Sequence, residues 1–292
     1  MIEWPKIMLG GPVRDRAWIC GEWLIALLNQ DYPPEKMRIV MLVNDSQDET
    51  REVCEWIRDR FGWMVSSFEV HEKNFGCKVD NTNRALRNRD MQQFARVRNA
   101  WLDLRRDEDY LWTVDSDIVC QPSILPGLVA NEKDLCAAVI MNNSEWHTNV
   151  LHWLKPERGP QGGFYWDTEA SRKQELYQCD LTGACMLISR RVLDAGIRYA
   201  ALEPEPGESN SWEGEDPPFC FEAQQAGFTL WADGRLRPDH RMHPPLYRGE
   251  KSAIFTSMFA DLTQWRAQQV RARRFEPSQL KKEKILWQLQ RD

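Results

Sequence analysis

Ile39-Val40-Met41-Leu42-Val43 runs straight into Asn44-Asp45-Ser46. An apolar run this short, with no polar residue alternating into it, reads as a parallel strand covered on both faces. Upstream, Ala17 to Asn29 places Trp18, Ile19, Trp23, Leu24, Leu27 and Leu28 at helical spacing, and Tyr32-Pro33-Pro34 ends that helix. Before it, Ile7-Met8-Leu9 leads into Gly10-Gly11-Pro12, a buried strand stopped by turn formers. Downstream, a helix is expected from about Asp48 to Arg60 and a strand over Met64 to Val70. The alternation continues through Met91–Leu104, Tyr110–Val114 and Leu135–Met141. A βαβα rhythm of this kind predicts an α/β fold with a mainly parallel, doubly wound sheet.

Beyond that point the pattern changes. Asn142 to Asp180 is irregular and rich in Trp, Gly and Pro, which in a compact domain points to functional loops. Regular structure resumes at Ala184–Ser189. A second loop, Glu203 to Gly214, precedes a helix from about Glu215 to Ala226 and a strand at Phe228–Ala232. Ala260–Asp292 reads as a basic helical segment broken at Pro277, with eight Lys and Arg against four Asp and Glu.

Composition is that of a soluble globular chain: 292 residues, 42% hydrophobic, 28% charged, mean hydropathy −0.60. Net charge of −6 argues against coating nucleic acid, because phosphate neutralisation needs a broad basic surface. No stretch approaches the roughly 18 apolar residues needed to cross a bilayer. The start, Met1-Ile2-Glu3-Trp4-Pro5-Lys6, lacks a secretory pattern. Eight cysteines stand singly, without CxxC spacing, so reduced thiols and a cytoplasmic location are expected.

The chemistry gathers where strands end. Leu111-Trp112-Thr113-Val114 delivers Asp115-Ser116-Asp117, two carboxylates one residue apart, beyond the carboxyl end of a buried strand. Open α/β sheets bind ligands there. Mg²⁺ or Mn²⁺ takes oxygen ligands and completes its shell with substrate phosphates. A turn or helix cap is the ordinary alternative for such acids. Asp45 follows its own strand in the same way and suits a base N–H or ribose hydroxyls, or a helix N-cap. Arg98-Asn99, late in the helix before the paired acids, is placed either to reach a diphosphate or to lie exposed.

Taken in order, Gly11-Pro12-Val13-Arg14, Val43-Asn44-Asp45-Ser46 with Thr50, Arg96-Val97-Arg98-Asn99 and Asp115-Ser116-Asp117 resemble the donor half of glycosyltransferase family 2. The phrase NQDYPPEKMRIVMLVNDSQDET, residues 29–50, is also similar to the fungal Golgi mannan-polymerase mannosyltransferases. The resemblance continues through Thr182-Gly183-Ala184-Cys185-Met186-Leu187-Ile188, Gly214-Glu215-Asp216, Gly227 and His240, covering roughly residues 6–247.

It implies a GT-A fold: a Rossmann-like, mainly parallel central sheet flanked by helices. Residues 1–259 would form one domain of two abutting halves, about 1–120 for the nucleotide and 121–259 for the acceptor, with 260–292 as an extension. Pro12, Val13, Arg14, Asp45, Arg98, Asp115 and Ser116 would hold the nucleotide. Asp115, Asp117 and His240 would hold Mn²⁺ or Mg²⁺, with His243 a rival to His240 in Asp239-His240-Arg241-Met242-His243.

Asp216 would be the general base of an inverting transfer, with Glu215 second; acids in a first helical turn also serve the helix dipole. Pro217-Pro218 departs from the family's usual pattern. Gly183 would let the backbone approach the donor sugar. Trp146, Trp153, Trp166 and Trp212 would offer faces to sugar rings, or fill core. The expected partners are a nucleotide-sugar donor, UDP-sugar by family usage, and a saccharide or other hydroxyl-bearing acceptor. The basic tail would touch a membrane or an acidic acceptor, or pack on the body.

Three alternatives remain open in the sequence. One is a retaining transferase of the GDP-mannose type, in which Asp216 is no base. Another is a sugar-1-phosphate nucleotidyltransferase, for which Gly10-Gly11-Pro12-Val13-Arg14 is a short match to the expected glycine-rich loop. The third is a sugar-binding module without catalysis.

Overall fold

The computed structural model describes residues 4–76, 87–142, 147–201 and 214–241. Trp146, Trp212, His243, most of the 203–214 loop and the 260–292 tail lie outside the described residues.

The chain begins with β1 (Ile7–Val13), α1 (Ala17–Leu28), β2 (Met37–Val43), α2 (Thr50–Phe61) and β3 (Ser67–Glu72). It continues with α3 (Arg87–Leu102), β4 (Tyr110–Val114), β5 (Ile118–Val119), α4 (Ile124–Ala130) and β6 (Leu135–Ala138). The second half holds β7 (Leu151–Trp153), β8 (Phe164–Trp166), β9 (Leu176–Cys179), β10 (Cys185–Ser189) and α5 (Arg190–Asp194). It closes with α6 (Asp216–Gln225), β11 (Leu230–Asp233) and β12 (Asp239–His240).

Eight strands form one sheet in the order β3-β2-β1-β4-β10-β6-β11-β9. The donor half, β3-β2-β1-β4, is parallel throughout. Every residue of β2 is buried, as its apolar run requires. Trp23, Trp101 and Trp112 are fully buried beside Ile7, Met8 and Leu9. Side chains of this size contribute roughly 1.5–3 kcal/mol each on burial. Much of the tryptophan is therefore core, not binding surface.

The sheet is mainly parallel, as expected; its exceptions are β10, which runs antiparallel to both β4 and β6, and β9, antiparallel to β11. The reversal has a local consequence. Because Cys185 pairs with Val114, the start of β10 meets the end of β4. The turn before β10, with Ala184 at φ 64, is thereby laid beside the paired acids, and the Asp115 N–H donates to the Ala184 carbonyl at 2.7 Å.

The stretch expected to be irregular contains structure that its sequence pattern conceals. β7 and β8 form an antiparallel hairpin with His152 opposite Tyr165, and β9 joins the sheet edge. These strands are three or four residues long, too short for periodicity to register.

Candidate active site

Two loops at the ends of β1 and β2 are laced to each other by side chains. The Asp15 N–H donates to Ser46 Oγ at 3.2 Å, and the Gln47 N–H to Asp15 Oδ1 at 2.7 Å. Thr50 Oγ1 accepts from the Arg16 N–H at 2.7 Å. Asp48 bonds the first N–H groups of both α1 and α2, from Ala17 and Thr50, each at 3.0 Å. One carboxylate thus serves two helix N-termini, where negative charge is favoured. The loops border a cavity of about 570 Å³ whose walls include Pro12, Val13, Arg14, Arg16, Gln93 and Phe94. Arg98, Asp115, Ser116, Asp117, Gly214 and Glu215 complete its polar end. A volume of that size accommodates a nucleotide-sized ligand.

Arg98 reaches into the polar end from the last turns of α3. It donates to Asp115 Oδ1 at 2.9 Å and, through Nε, to Glu215 Oε1 in a tight contact. Its guanidinium also lies over the Tyr199 ring, 5.4 Å from the centroid. The sequence offered Arg98 either to a diphosphate or to solvent; the fold instead makes it the brace between the paired acids and the acidic motif. Burial works against its charge, but Asp115, Glu215 and Asp216 outweigh burial and drive its pKa well up. Burial raises Asp115, with Arg98 opposing and Asp117 and Glu215 adding to the rise.

Asp117 behaves differently. Burial would raise it, yet His240 and Arg16 together hold it below the ordinary carboxylate value. Arg16 donates to Asp117 Oδ2 at 3.3 Å. β12 pairs with β5 so that His240 stands opposite Ile118, and the Arg241 N–H donates to the Asp117 carbonyl at 2.8 Å. A ladder only two residues long therefore clamps the histidine to the acid motif. His240 Nδ1 meets Asn142 Oδ1 at 2.8 Å, and Nε2 faces Asp117 Oδ1 at 3.7 Å. An amide oxygen only accepts, so Nδ1 donates to it and Nε2 is left facing the carboxylate oxygen.

Two lone-pair donors facing at 3.7 Å are at rest only with a cation between them or a proton on the ring. That donor set, one carboxylate and one imidazole, fits Mn²⁺ well and Mg²⁺ less well. Among the described residues no three His, Cys, Asp or Glu side chains enclose an ion. The protein would supply two ligands, and water and phosphate oxygens would supply the rest. Asp115, expected as a third, accepts from Arg98 through Oδ1.

Glu215, on the cavity wall, caps α6, which opens with Asp216, Pro217 and Pro218, where a missing N–H costs nothing. Asp216 Oδ1 is buried without a hydrogen-bond partner. Burial, then the neighbouring Glu215 charge, push its pKa up to about 8 against the pull of Arg98. Gly183 explains how it fits: a Cβ there would stand 2.3 Å from Asp216 Oδ2. Asn149 fixes Gly183 in turn. Its Nδ2 donates to the carbonyls of Gly183 at 2.9 Å and Ala138 at 3.0 Å, while Oδ1 accepts from the Ile140 N–H at 2.8 Å.

Pro12, Val13, Arg14, Arg98, Asp115, Ser116, Asp117 and Glu215 thus line one cavity; His240 faces its Asp117, and Asp216 follows its Glu215 in the chain. Asp45 is placed elsewhere. Its carboxylate accepts from the Phe75 N–H at 3.0 Å and the Gly76 N–H at 2.9 Å, fastening the segment after β3. Trp153 is 5% exposed and donates to Gln224 Oε1 at 2.7 Å, so it is core. Arg16, Asn142 and Asn149 escaped the sequence reading. Arg16, a basic residue in the β1 loop, was open to detection; the two asparagines carry no local pattern.

Comparison with known proteins bears on the fold and the family. The solved structure of the mannosyltransferase PcManGT from Pyrobaculum calidifontis, in complex with GDP-Man and Mn²⁺, is similar over 84% of this chain and 59% of its own, with TM-score 0.55 and 13% identity. GalNAc-T7 with UDP, GalNAc and Mn²⁺ is similar over 86% of this chain and 46% of its own, with TM-score 0.56 and 13% identity. The chain thus spans about half to three fifths of those chains. At that identity the likeness concerns the fold, which is GT-A. Among curated protein sequences none matches significantly. The sequence profile described as glycosyltransferase-like family 2 matches residues 12–232, most of the chain. By that match, and on the sheet that carries Asp115 and Asp117 to its open edge, this chain belongs to the glycosyltransferase-like family 2.

Proposed function

We propose that the chain transfers a sugar from a nucleotide-sugar donor, with UDP the favoured nucleotide, to a hydroxyl-bearing acceptor, inverting the anomeric centre. The observation that carries this reading is the unpartnered buried oxygen and raised pKa of Asp216, next in the chain to Glu215, which lines the same cavity as Asp117. A base that takes a hydroxyl proton needs free acceptor capacity and a pKa near the working pH, and Asp216 has both. Asp117 and His240 would hold Mn²⁺, which when bound neutralises charge on a leaving diphosphate. Arg16, beside Asp117, adds positive charge at the same end of the cavity. Arg98 keeps Asp115 and Glu215 in register, and Gly183 leaves the space that Asp216 needs.

Mn²⁺ is common to the two structural neighbours, while their nucleotides differ, GDP in one and UDP in the other. The GDP-Man bound to the PcManGT neighbour favours a second reading, a retaining GDP-mannose transfer, in which Asp216 has no proton to take. NMR of the product's anomeric configuration, alongside Asp216→Asn, separates the two. Inversion, with transfer reduced about 10²–10⁴-fold in Asp216→Asn and nucleotide binding kept, is the expected result. A retained configuration or an active Asp216→Asn variant would refute the assignment.

A further inference from the structure

Cysteines that stand singly in the sequence are brought together by the fold. Cys20 lies in the first turns of α1 and Cys54 in the first turns of α2, and both are fully buried. Their sulfurs stand 3.2 Å apart although 34 positions separate them in the chain. A thiol is a weak donor and a weak acceptor, so this contact does not hold itself together.

The helices hold it. Asp48 accepts from the first N–H groups of both, Ala17 and Thr50, at 3.0 Å each, and the Arg16 N–H donates to Thr50 Oγ1 at 2.7 Å. These bonds pin the two N-termini side by side about one turn before the sulfurs. A disulfide needs its sulfurs at about 2.05 Å, so closure here takes about 1.2 Å, within the swing of the two Cβ–Sγ bonds. Cys120 and Cys185 make a looser pair at 3.9 Å, and Cys185 sits in β10, a strand bonded on both sides.

We propose that Cys20 and Cys54 are a disulfide-forming pair, a covalent modification site that ties α1 to α2. The oxidant is a small-molecule disulfide of the glutathione class. One protein thiolate attacks a sulfur of that molecule, a mixed disulfide forms and one glutathione thiolate leaves. The second protein thiolate then displaces the other glutathione. Two protein thiols thus give up two electrons, their protons pass to the departing thiolates, and one small disulfide becomes two thiols. Both cysteines are 0% exposed, so the exchange belongs to folding, before α1 and α2 close on each other. The bond braces the helices that follow the β1 and β2 loops, whose residues border the cavity, and it does not depend on what the cavity holds.

Refolding the full chain from denaturant in mixed reduced and oxidised glutathione tests the pairing, with free thiols then blocked by iodoacetamide and tryptic peptides mapped by mass spectrometry. Cleavage after Arg16, Lys36, Arg51 and Arg58 leaves each cysteine alone in its peptide, residues 17–36 and 52–58. One linked species joining these two peptides is expected, absent after reduction and absent in Cys54→Ala. The linked chain should melt about 5–10 °C above the same chain after reduction, because the bond closes a long loop in the unfolded state. Blocking of both thiols in the refolded chain, or linkage of either to a different cysteine, would overturn the pairing. A linked chain that melts no higher than the reduced one would overturn the tie between the helices.

Discussion

Asp216 gathers the decisive physics at the scale of single residues. A carboxyl group held near pH 8 by burial and by Glu215 is mostly protonated at neutral pH in the free protein. If it is the base, kcat/KM must climb with pH and level off above about 8, because that parameter reports the free enzyme. A profile flat from pH 6 to 9 would remove it from the mechanism. Stability moves the other way. The folded state binds this proton more tightly than the unfolded chain, so its contribution is complete below the ordinary value of 3.8 and drains away as pH rises through about 8. Asp216→Asn should therefore melt above the native chain at pH 9 and level with it at pH 4, as calorimetry would show. Gly183 offers a companion test. Gly183→Ala puts a methyl group 2.3 Å from Asp216 Oδ2, and should lower stability by about 1–3 kcal/mol and displace the base. Nucleotide binding should survive while transfer falls; an unaffected rate would mean that Asp216 and Gly183 do not act together.

Among the elements, the β7–β8 hairpin depends on one imidazole. His152 sits between Asp180 Oδ2 at 3.2 Å and Asp167 Oδ2 at 3.4 Å, with Lys173 bonded to the same Asp167 oxygen and Tyr165 alongside. The hydrogen bond to Asp180 raises its pKa, burial opposes, and Asp167 adds to the rise. Protonated histidine thus ties the hairpin to the segment that leads into Gly183. A raised histidine stabilises fully below its ordinary 6.5 and ceases to do so as pH rises past its folded value. Amide protection at Leu151 and Trp153 should accordingly fall between pH 6 and 9, beyond the intrinsic rate change, and His152→Gln should abolish that dependence. Equal protection at both pH values in the native chain would show that the tie is ornamental. This element also marks a limit of sequence reading: its strands are three residues long, and the contacts of His152 join residues 15 and 28 positions away.

For the molecule as a whole, legibility tracks locality. Leu111 to Asp117 declares a buried strand delivering acids because neighbouring residues hold all the information, and β4 ends as expected at Val114. The helix–strand alternation of the donor half was open to reading for the same reason. Two features were not: antiparallel β10 is set by its pairing with β4, and Arg98 finds its partners 17 and 117 residues away. The meeting of His240 with Asp117 was expected from the family resemblance alone, because the ladder between β5 and β12 that makes it has no local pattern. Asp45 has contacts of the same non-local kind: its carboxylate accepts from the backbone N–H groups of Phe75 and Gly76, about 30 residues on.

The central claim is that Asp117 and His240 present a cation to a nucleotide diphosphate at the open edge of this sheet. Calorimetric titration of UDP and of GDP into the full chain, with Mn²⁺ or with EDTA, tests it most directly. Binding of one nucleotide that needs Mn²⁺, vanishes in EDTA and weakens at least about tenfold in Asp117→Ala is the predicted result. Binding of equal strength in EDTA, or none of either nucleotide with Mn²⁺ present, would contradict it.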